Sequence, residues 1–324
     1  MKLSPFGLIL PLIALLVPVA LAQDYPARPV TLIVPYAAGG PADALSRLLA
    51  DSLGKYLGQR VIIENVTGAG GTLGVARGAA AAPDGYTITL ASNGTHGAAP
   101  ALYPDLRYNP VDSFEMIGMV STNPIAIVAR KDFPANSLRE FMAYSQNNKV
   151  SNATGGVGSV SQIACLHLKA LGKFSTTEVP YRGTGPAIQD LLASRVDFVC
   201  DQVANVRTYV SSNMLKAFAT ASKNRSAGLP DVPTTTEAGL PAYQVTVWFA
   251  LMFPKGTPAA IVSRLNDALG RAIDDPGFEQ RIVEQGGMVA TAAERGPAYL
   301  KKFVQSEVEL WVPLLNAAAA APEK

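Results

Sequence analysis

The chain has 324 residues, 48% of them hydrophobic and 16% charged, with a formal net charge of +2. That length accommodates two domains of ordinary size, and the apolar content excludes a disordered chain. The near-balanced charge, without any run of lysine or arginine, excludes nucleic acid as a partner.

In chain order, Lys2, an almost unbroken apolar run over 6–19 and the small-x-small site Ala20-Leu21-Ala22 predict a secretory signal peptide over 1–22, cleaved after Ala22. The run is shorter than the ~20 residues of a membrane span and holds Pro11 and Pro18. No cysteine directly follows the cleavage site, so a lipid anchor is not expected.

Strands and helices then alternate. Residues 30–34 read as a strand, and 41–57 as an amphipathic helix with Leu45, Leu48, Leu49 and Leu53 on one face. The loop between them, Pro35 to Gly40, is short-chained apart from Tyr36, and Pro41 suits the first helical position. Strand 60–64, helix 71–81, a Pro83-Asp84-Gly85 turn and strand 86–91 follow. A short helix near 98–103 and a strand near 116–121 complete the first half.

The second half repeats the device. Residues 125–129 are a strand, Ser137 caps a helix to Asn147, and 150–153 form a strand that runs into Thr154-Gly155-Gly156-Val157-Gly158-Ser159 and a helix over 160–171. Strand 177–179, helix 185–194, strand 196–200, helix 202–211 and strand 215–220 follow. A proline-rich loop leads to strand 245–252, and the remainder from Pro258 reads mostly as helix. This alternation predicts an α/β fold with mainly parallel sheets covered by helices on both faces. We expect two lobes, one formed by 23–123 and 247–324 and the other by 124–246, joined by crossing strands near 123 and 245.

Two strand-to-helix loops of this kind, one per lobe, present backbone N–H groups without helical partners, and the helix dipole favours an anion above them. The candidate ligand residues are therefore Tyr36, Ala37, Ala38, Gly39 and Gly40 in the first loop and Gly158, Ser159 and Gln162 in the second. Ser92, Asn93, Thr95, Tyr181, Arg182 and Asp201 join them, because they stand at strand ends, where open α/β sheets hold ligands. Each also has a plain structural reading as a cap, a packing residue or a surface charge. Asp43, which would repel an anion, is expected to turn outward and cap the first loop. Trp248 reads as core or as cleft wall.

Other chemistry finds little support. Gly68 to Gly74 imitate a dinucleotide fingerprint, but the next strand ends at Ala91-Ser92 without the carboxylate that a ribose needs, so a tight turn with close packing explains them better. The chain has two histidines, His96 and His167, and no metal-binding spacing, nucleophile elbow or P-loop. No catalytic residue, metal or cofactor is therefore expected. In an exported chain Cys165 and Cys200 are expected to form a disulfide worth roughly 3–4 kcal/mol, with two separate buried thiols as the alternative.

Several long stretches carry a resemblance. They include "YPARPVTLIVPYAAGG", "VIIENVTGAGGTLG", "APDGYTITLAS", "GTHGAAPALYPDLRYNPVDSFEMIG", "VPYRGTGPAIQDLLASRVDF", "LPDVPTTTEAGLP" and "FPKGTPAAIVSRLNDAL". From about Tyr25 to Trp311 the chain resembles the periplasmic substrate-binding receptors of tripartite tricarboxylate transporters, the Bug proteins. The resemblance implies a Venus-flytrap fold that captures a small organic carboxylate and delivers it to membrane permease subunits, as a monomer in the periplasm. It implies that the loops Tyr36–Gly40 and Gly158–Ser159 grip the carboxylate through backbone N–H groups and bound water, with Thr95, Tyr181 and Asp201 as further pocket residues. Gln162 stands where many relatives carry histidine, which removes a positive charge. A ligand-sensing subunit for a membrane histidine kinase, or a periplasmic enzyme using Asp201 or His96 as base, are the alternatives.

Overall fold

The structure is a computed structural model that describes residues 25–320 apart from Val157, Arg182 and Lys223. The expected signal peptide and its cleavage site lie outside the described residues. In chain order, β1 (Val30–Val34) leads to α1 (Pro41–Leu57), β2 (Val61–Asn65) to α2 (Thr72–Ala79), and β3 (Thr87–Ser92) to a π-helical turn over Asn93–Ala98 and then α3 (Ala99–Leu102). The long strand β4 (Phe114–Arg130) follows. Then come α4 (Leu138–Asn147), β5 (Ser151–Thr154), α5 (Val160–Gly172), β6 (Thr177–Pro180), α6 (Thr184–Leu192), β7 (Phe198–Gln202), α7 (Val203–Ser211) and β8 (Leu215–Thr220). The chain returns through β9 (Thr246–Pro254) to α8 (Ala259–Ile273), α9 (Pro276–Glu284), β10 (Met288–Val289) and α10 (Pro297–Ala320).

The fold has two lobes, and β4 is central to both. Up to Pro124 it pairs antiparallel with β9, and from Ile125 it pairs with β7. Beyond β9 the first lobe continues through β3, β1 and β2; beyond β7 the second continues through β5 and β6. β10 and β8 flank the other edge of β4 in the first and second halves respectively. The parallel strands β1, β2 and β3, and β5, β6 and β7, bring their C-terminal ends to one edge of each sheet. Helices open there, and a ligand would meet both sets of loops.

One element departs from the sequence reading: residues 116–121 and 125–129 are one strand, not two. Pro124 lacks an N–H and reads locally as a break. It stands opposite Thr246 of β9, between the β10 pairing that ends at Thr122 and the β7 pairing that begins at Ile125, so on that edge the ladder changes partner at the one residue that cannot donate.

Local chemistry explains most boundaries. Ser137 caps α4 by accepting from Glu140 N–H, Ser159 caps α5 by accepting from Gln162 N–H, and Gly58 ends α1 in the left-handed conformation. The second lobe is consolidated by Phe133, Phe141, Phe198 and Phe218, with the Phe141 and Phe198 ring centroids 4.9 Å apart. In the first lobe Leu49 and Leu53 of α1 are buried with Leu265 and Leu269 of α8.

Cys165 on α5 and Cys200 on β7 are both buried, and the packing of α5 on β7 sets their sulfurs 2.8 Å apart.

Candidate functional site

The first loop leaves β1 at Pro35 and enters α1 at Pro41. Its shape is held from beneath by Asp43, which is 3% exposed. One carboxylate oxygen of Asp43 accepts from Gly39 N–H at 2.9 Å and from Arg47 Nε at 2.9 Å; the other accepts from Asn65 Nδ2 at 3.0 Å. Asp43 thus caps the loop as expected, but it is turned inward. The Arg47 hydrogen bond, reinforced by Gly39 and Asn65, outweighs desolvation and lowers the Asp43 pKa to about 2. Its charge is spent on those donors. Among the described residues the amides of Ala37 and Ala38 have no partner, so they remain open to a ligand.

The second loop, between β5 and α5, is different. Gly155 N–H donates to Ser161 Oγ at 2.8 Å, Gly156 N–H to Thr154 Oγ1 at 3.4 Å, and Gly158 N–H to Gln162 Oε1 at 2.8 Å. Ser159 N–H donates to the Gly156 carbonyl at 3.1 Å. Gln162 completes the brace by donating its side-chain amide to Glu178 at 2.6 Å. These four amides, those of the expected ligand residues Gly158 and Ser159 among them, are satisfied within the loop. It presents to the cleft the surfaces of Gly158, Ser159 and Val160, while the Ser159 hydroxyl accepts from Gln162 N–H and lies 3.0 Å from Ser161 Oγ.

A cavity of about 300 Å³ lies between the two loops. It brings together Tyr36 and Ala37 from the first lobe with Gly158 and Ser159 from the second, as the sequence reading expects. Gly94 of the π-helical turn also lines it. A Cβ on Gly94 would stand 3.6 Å from the Tyr36 hydroxyl and 3.8 Å from the Gly158 carbonyl, between the lobes.

The sequence reading missed one wall. Thr67, Gly68, Gly70 and Gly71, in the loop from β2 to α2, line the same cavity. Gly68, Ala69, Gly70 and Gly71 all have positive φ, a left-handed turn that glycine tolerates and alanine adopts at a cost. Among the described residues the amides of Gly68, Ala69 and Gly70 have no partner. The glycines do serve close packing, as read: a Cβ on Gly74 would lie 2.5 Å from the Val66 carbonyl. The available signal was topological, since β2 is parallel to β1 and must deliver its loop to the same edge.

The other expected site residues lie elsewhere than the cavity wall. Ser92 is buried and bonded to the Tyr36 hydroxyl at 2.5 Å, so it positions that ring. Asn93 donates to the Thr246 carbonyl, and Thr95 shares a hydrogen bond with His96 Nδ1 at 2.9 Å. His96 is enclosed by Tyr108, Phe114 and Trp248, where burial pushes its pKa down to about 3. Trp248 is fully buried rather than cleft wall. Ala38, Gly39 and Gly40 belong to the first loop beside the cavity, and Gln162 lies behind the second loop as its brace. Tyr181 donates its hydroxyl to Asp190 at 2.7 Å, and a Cβ on Gly156 would stand 2.9 Å from the Tyr181 carbonyl. Asp201 is buried near the end of β7, accepting from Gln202 N–H at 2.7 Å and from Asn205 Nδ2 at 3.2 Å. Burial outweighs those hydrogen bonds and raises its pKa to about 6. Arg182 lies outside the described residues.

Comparison with known proteins bears on this geometry. Residues 45–319 match the family model described as tripartite tricarboxylate transporter family receptor. The solved structure of MatC from Rhodopseudomonas palustris with bound malate is 42% identical, covers 90% of this chain and 100% of its own, and superposes with a TM-score of 0.78. The periplasmic binding protein BugD is 39% identical over 92% of this chain and 100% of its own, with a TM-score of 0.78. A second R. palustris protein, solved with adipate, is 26% identical over 93% of this chain and 100% of its own, with a TM-score of 0.79. The family match spans both lobes and two of the three loops around the cavity, the first loop at Pro35–Gly40 lying ahead of its start, and on that ground the chain belongs to the tripartite tricarboxylate transporter family of receptors.

Proposed function

We propose that this chain is an exported receptor that closes its two lobes on a small organic dicarboxylate and hands it, unchanged, to the membrane subunits of a tripartite transporter. Receptors of this family are periplasmic solute-binding proteins. The observation that carries the reading is the cavity itself: a space of about 300 Å³ with loops of both lobes as walls and open main-chain amides on the first lobe. Malate in one neighbour and adipate in another support this ligand class, a chain with a carboxylate at each end.

In this reading the lobes divide at the crossings near 123 and 245, with 23–123 and 247–324 forming one body and 124–246 the other. The amides of Ala37 and Ala38 take one carboxylate, and the left-handed turn at Gly68–Gly70 takes the far end. The Ser159 hydroxyl and the α5 N-terminus close over the ligand from the second lobe. Charge-assisted hydrogen bonds of this kind contribute about 1.5–3 kcal/mol each, so a few of them favour closure. The signal peptide ends at Ala22, and the mature chain acts as a monomer without turnover of its ligand.

A thermal-shift screen of the mature protein against mono-, di- and tricarboxylates tests this, because a ligand that binds only the folded state raises the melting temperature. We expect C4–C6 dicarboxylates to give the largest shifts and to be recovered intact by mass spectrometry. A protein that responds to no carboxylate, or consumes one, refutes the proposal.

A further inference from the structure

One buried polar cluster takes no part in the cavity. The chain has two tryptophans, and both aim their indole N–H at one carboxylate oxygen. Trp248 on β9 donates to Glu307 Oε2 at 2.6 Å, and Trp311 on α10 donates to the same oxygen at 3.0 Å. Glu307 stands one helical turn before Trp311, so the carboxylate holds the ring of its own helix and ties it to the crossing strand. Trp248 pairs there with Thr122, two residues before β4 changes partner.

Trp311 is only 2% exposed and touches both lobes. Its indole rests on Gly97 of the π-helical turn, where a Cβ would come within 2.8 Å of Cδ1. It also meets His167 of α5 edge-on, with ring centroids 5.7 Å apart. His167 is held in turn by donating to the Ala242 carbonyl at 3.3 Å and by the Tyr243 ring. The π-helical turn carries Gly94 to the cavity, and α5 carries Ser159 there at its N-cap. Both elements therefore reach the cavity at one end and Trp311 at the other, and they belong to opposite lobes. A rigid ring packed at interior density does not compress, so its size sets how near the two elements come.

We propose that Trp311, held in place by Glu307, is a positioning residue for ligand capture: the cross-lobe spacer that sets the separation of Gly94 and Ser159 in the closed cleft. The inference rests on the carboxylate-receptor reading. A missing spacer lets the lobes close to the wrong distance, so only a fraction of closed molecules matches the ligand and the apparent affinity falls by that fraction.

The test uses the mature protein with malate, and with the best acid of the screen if malate is not that acid. Wild-type protein that binds no acid strikes the receptor reading and takes the spacer with it. Where the wild type binds, we expect Trp311→Leu to weaken binding by about tenfold or more through faster dissociation. Glu307→Leu should share that loss and Glu307→Gln, which keeps an acceptor oxygen, should restore most of it. In Trp248→Phe the remaining tryptophan is Trp311, and its emission should shift when the acid saturates the site. Wild-type affinity in Trp311→Leu, or equal losses in both Glu307 variants, would overturn the proposal. So would unmoved emission in a Trp248→Phe protein that still binds, and this readout decides the matter even if Trp311→Leu does not fold.

Discussion

Each lobe places one buried aspartate at the edge of its sheet where the helices begin, and the two aspartates titrate in opposite directions. Asp43, under the first loop, receives Arg47, Asn65 and the Gly39 amide, and its pKa falls to about 2. Asp201, near the end of β7, receives Asn205 and the Gln202 amide and, among the described residues, no cation, and its pKa rises to about 6. The loops differ in the same sense. The first loop spends one amide on Asp43 and leaves Ala37 and Ala38 open, whereas the second satisfies Gly155, Gly156, Gly158 and Ser159 internally. The contrast teaches that glycine-rich strand-to-helix loops with similar sequences can serve different ends: one offers donors, and the other is a stiff surface that completes the cavity.

The largest test of that contrast is Gly158→Val. Gly158 has φ +77°, and a Cβ there would stand 3.2 Å from Leu102 of the first lobe. Left-handed backbone costs a β-carbon residue about 1–2 kcal/mol, and the wedge against Leu102 adds to it, so ligand binding should weaken by at least about tenfold. Calorimetry with the best acid, alongside an unchanged circular dichroism spectrum, would show it. Wild-type affinity would mean that the second loop is not part of the closed site.

The aspartates come next. The unfolded chain ionises Asp201 near its ordinary pKa of 3.8, while the folded chain holds the proton up to about 6. Stability from this group is thus full below pH 4 and is lost as pH rises through 6, by up to ~3 kcal/mol. Asp201→Asn should match wild type near pH 4 and melt higher at pH 7. The sign is reversed at Asp43, whose contribution is present above pH 4 and lost as pH falls toward 2, by about 2 kcal/mol. Asp43→Asn should therefore melt lower than wild type at pH 7 and converge with it in acid. Melting curves across pH 2–8 would check both, and parallel profiles for the two variants would contradict the comparison.

Smaller effects sharpen the account of the second loop. Gln162→Ala leaves the Gly158 amide and Glu178 without their partner, at about 1 kcal/mol in a half-exposed setting, and should lower the melting temperature and weaken binding modestly. Gln162→Glu keeps the acceptor for Gly158 but sets a second carboxylate against Glu178, and should lower the melting temperature at least as much at neutral pH. Smallest of all should be the salt effect. No lysine or arginine lines the cavity among the described residues, so affinity between low and high salt should change little. A steep loss would point to a cation that the described lining lacks.

The sequence was legible wherever structure is local. The alternation of strands and helices in two blocks, the Ser137 and Ser159 caps, and the first loop at Tyr36 and Ala37 all rest on residues within a few positions of one another. Hydrophobic period, capping and turn chemistry act over that range. The two blocks carried the reading to two lobes, and the resemblance to a Venus-flytrap receptor. Pro124 misled the local reading because its missing N–H matters only relative to a partner strand, and the partner changes there.

What the tertiary structure decided concerns partners distant in sequence. That Gly68–Gly71 face the same cavity as Tyr36 follows from β2 lying beside β1. That the second loop's amides are already taken depends on where the side chains of Ser161 and Gln162 turn, which their spacing does not dictate. Cys165 and Cys200 meet because α5 packs on β7. Trp248, Glu307 and Trp311 converge from the crossing strand and the last helix. A residue's type sets what it can donate, accept or fill; whether that capacity is spent or free is set by neighbours that only folding brings near.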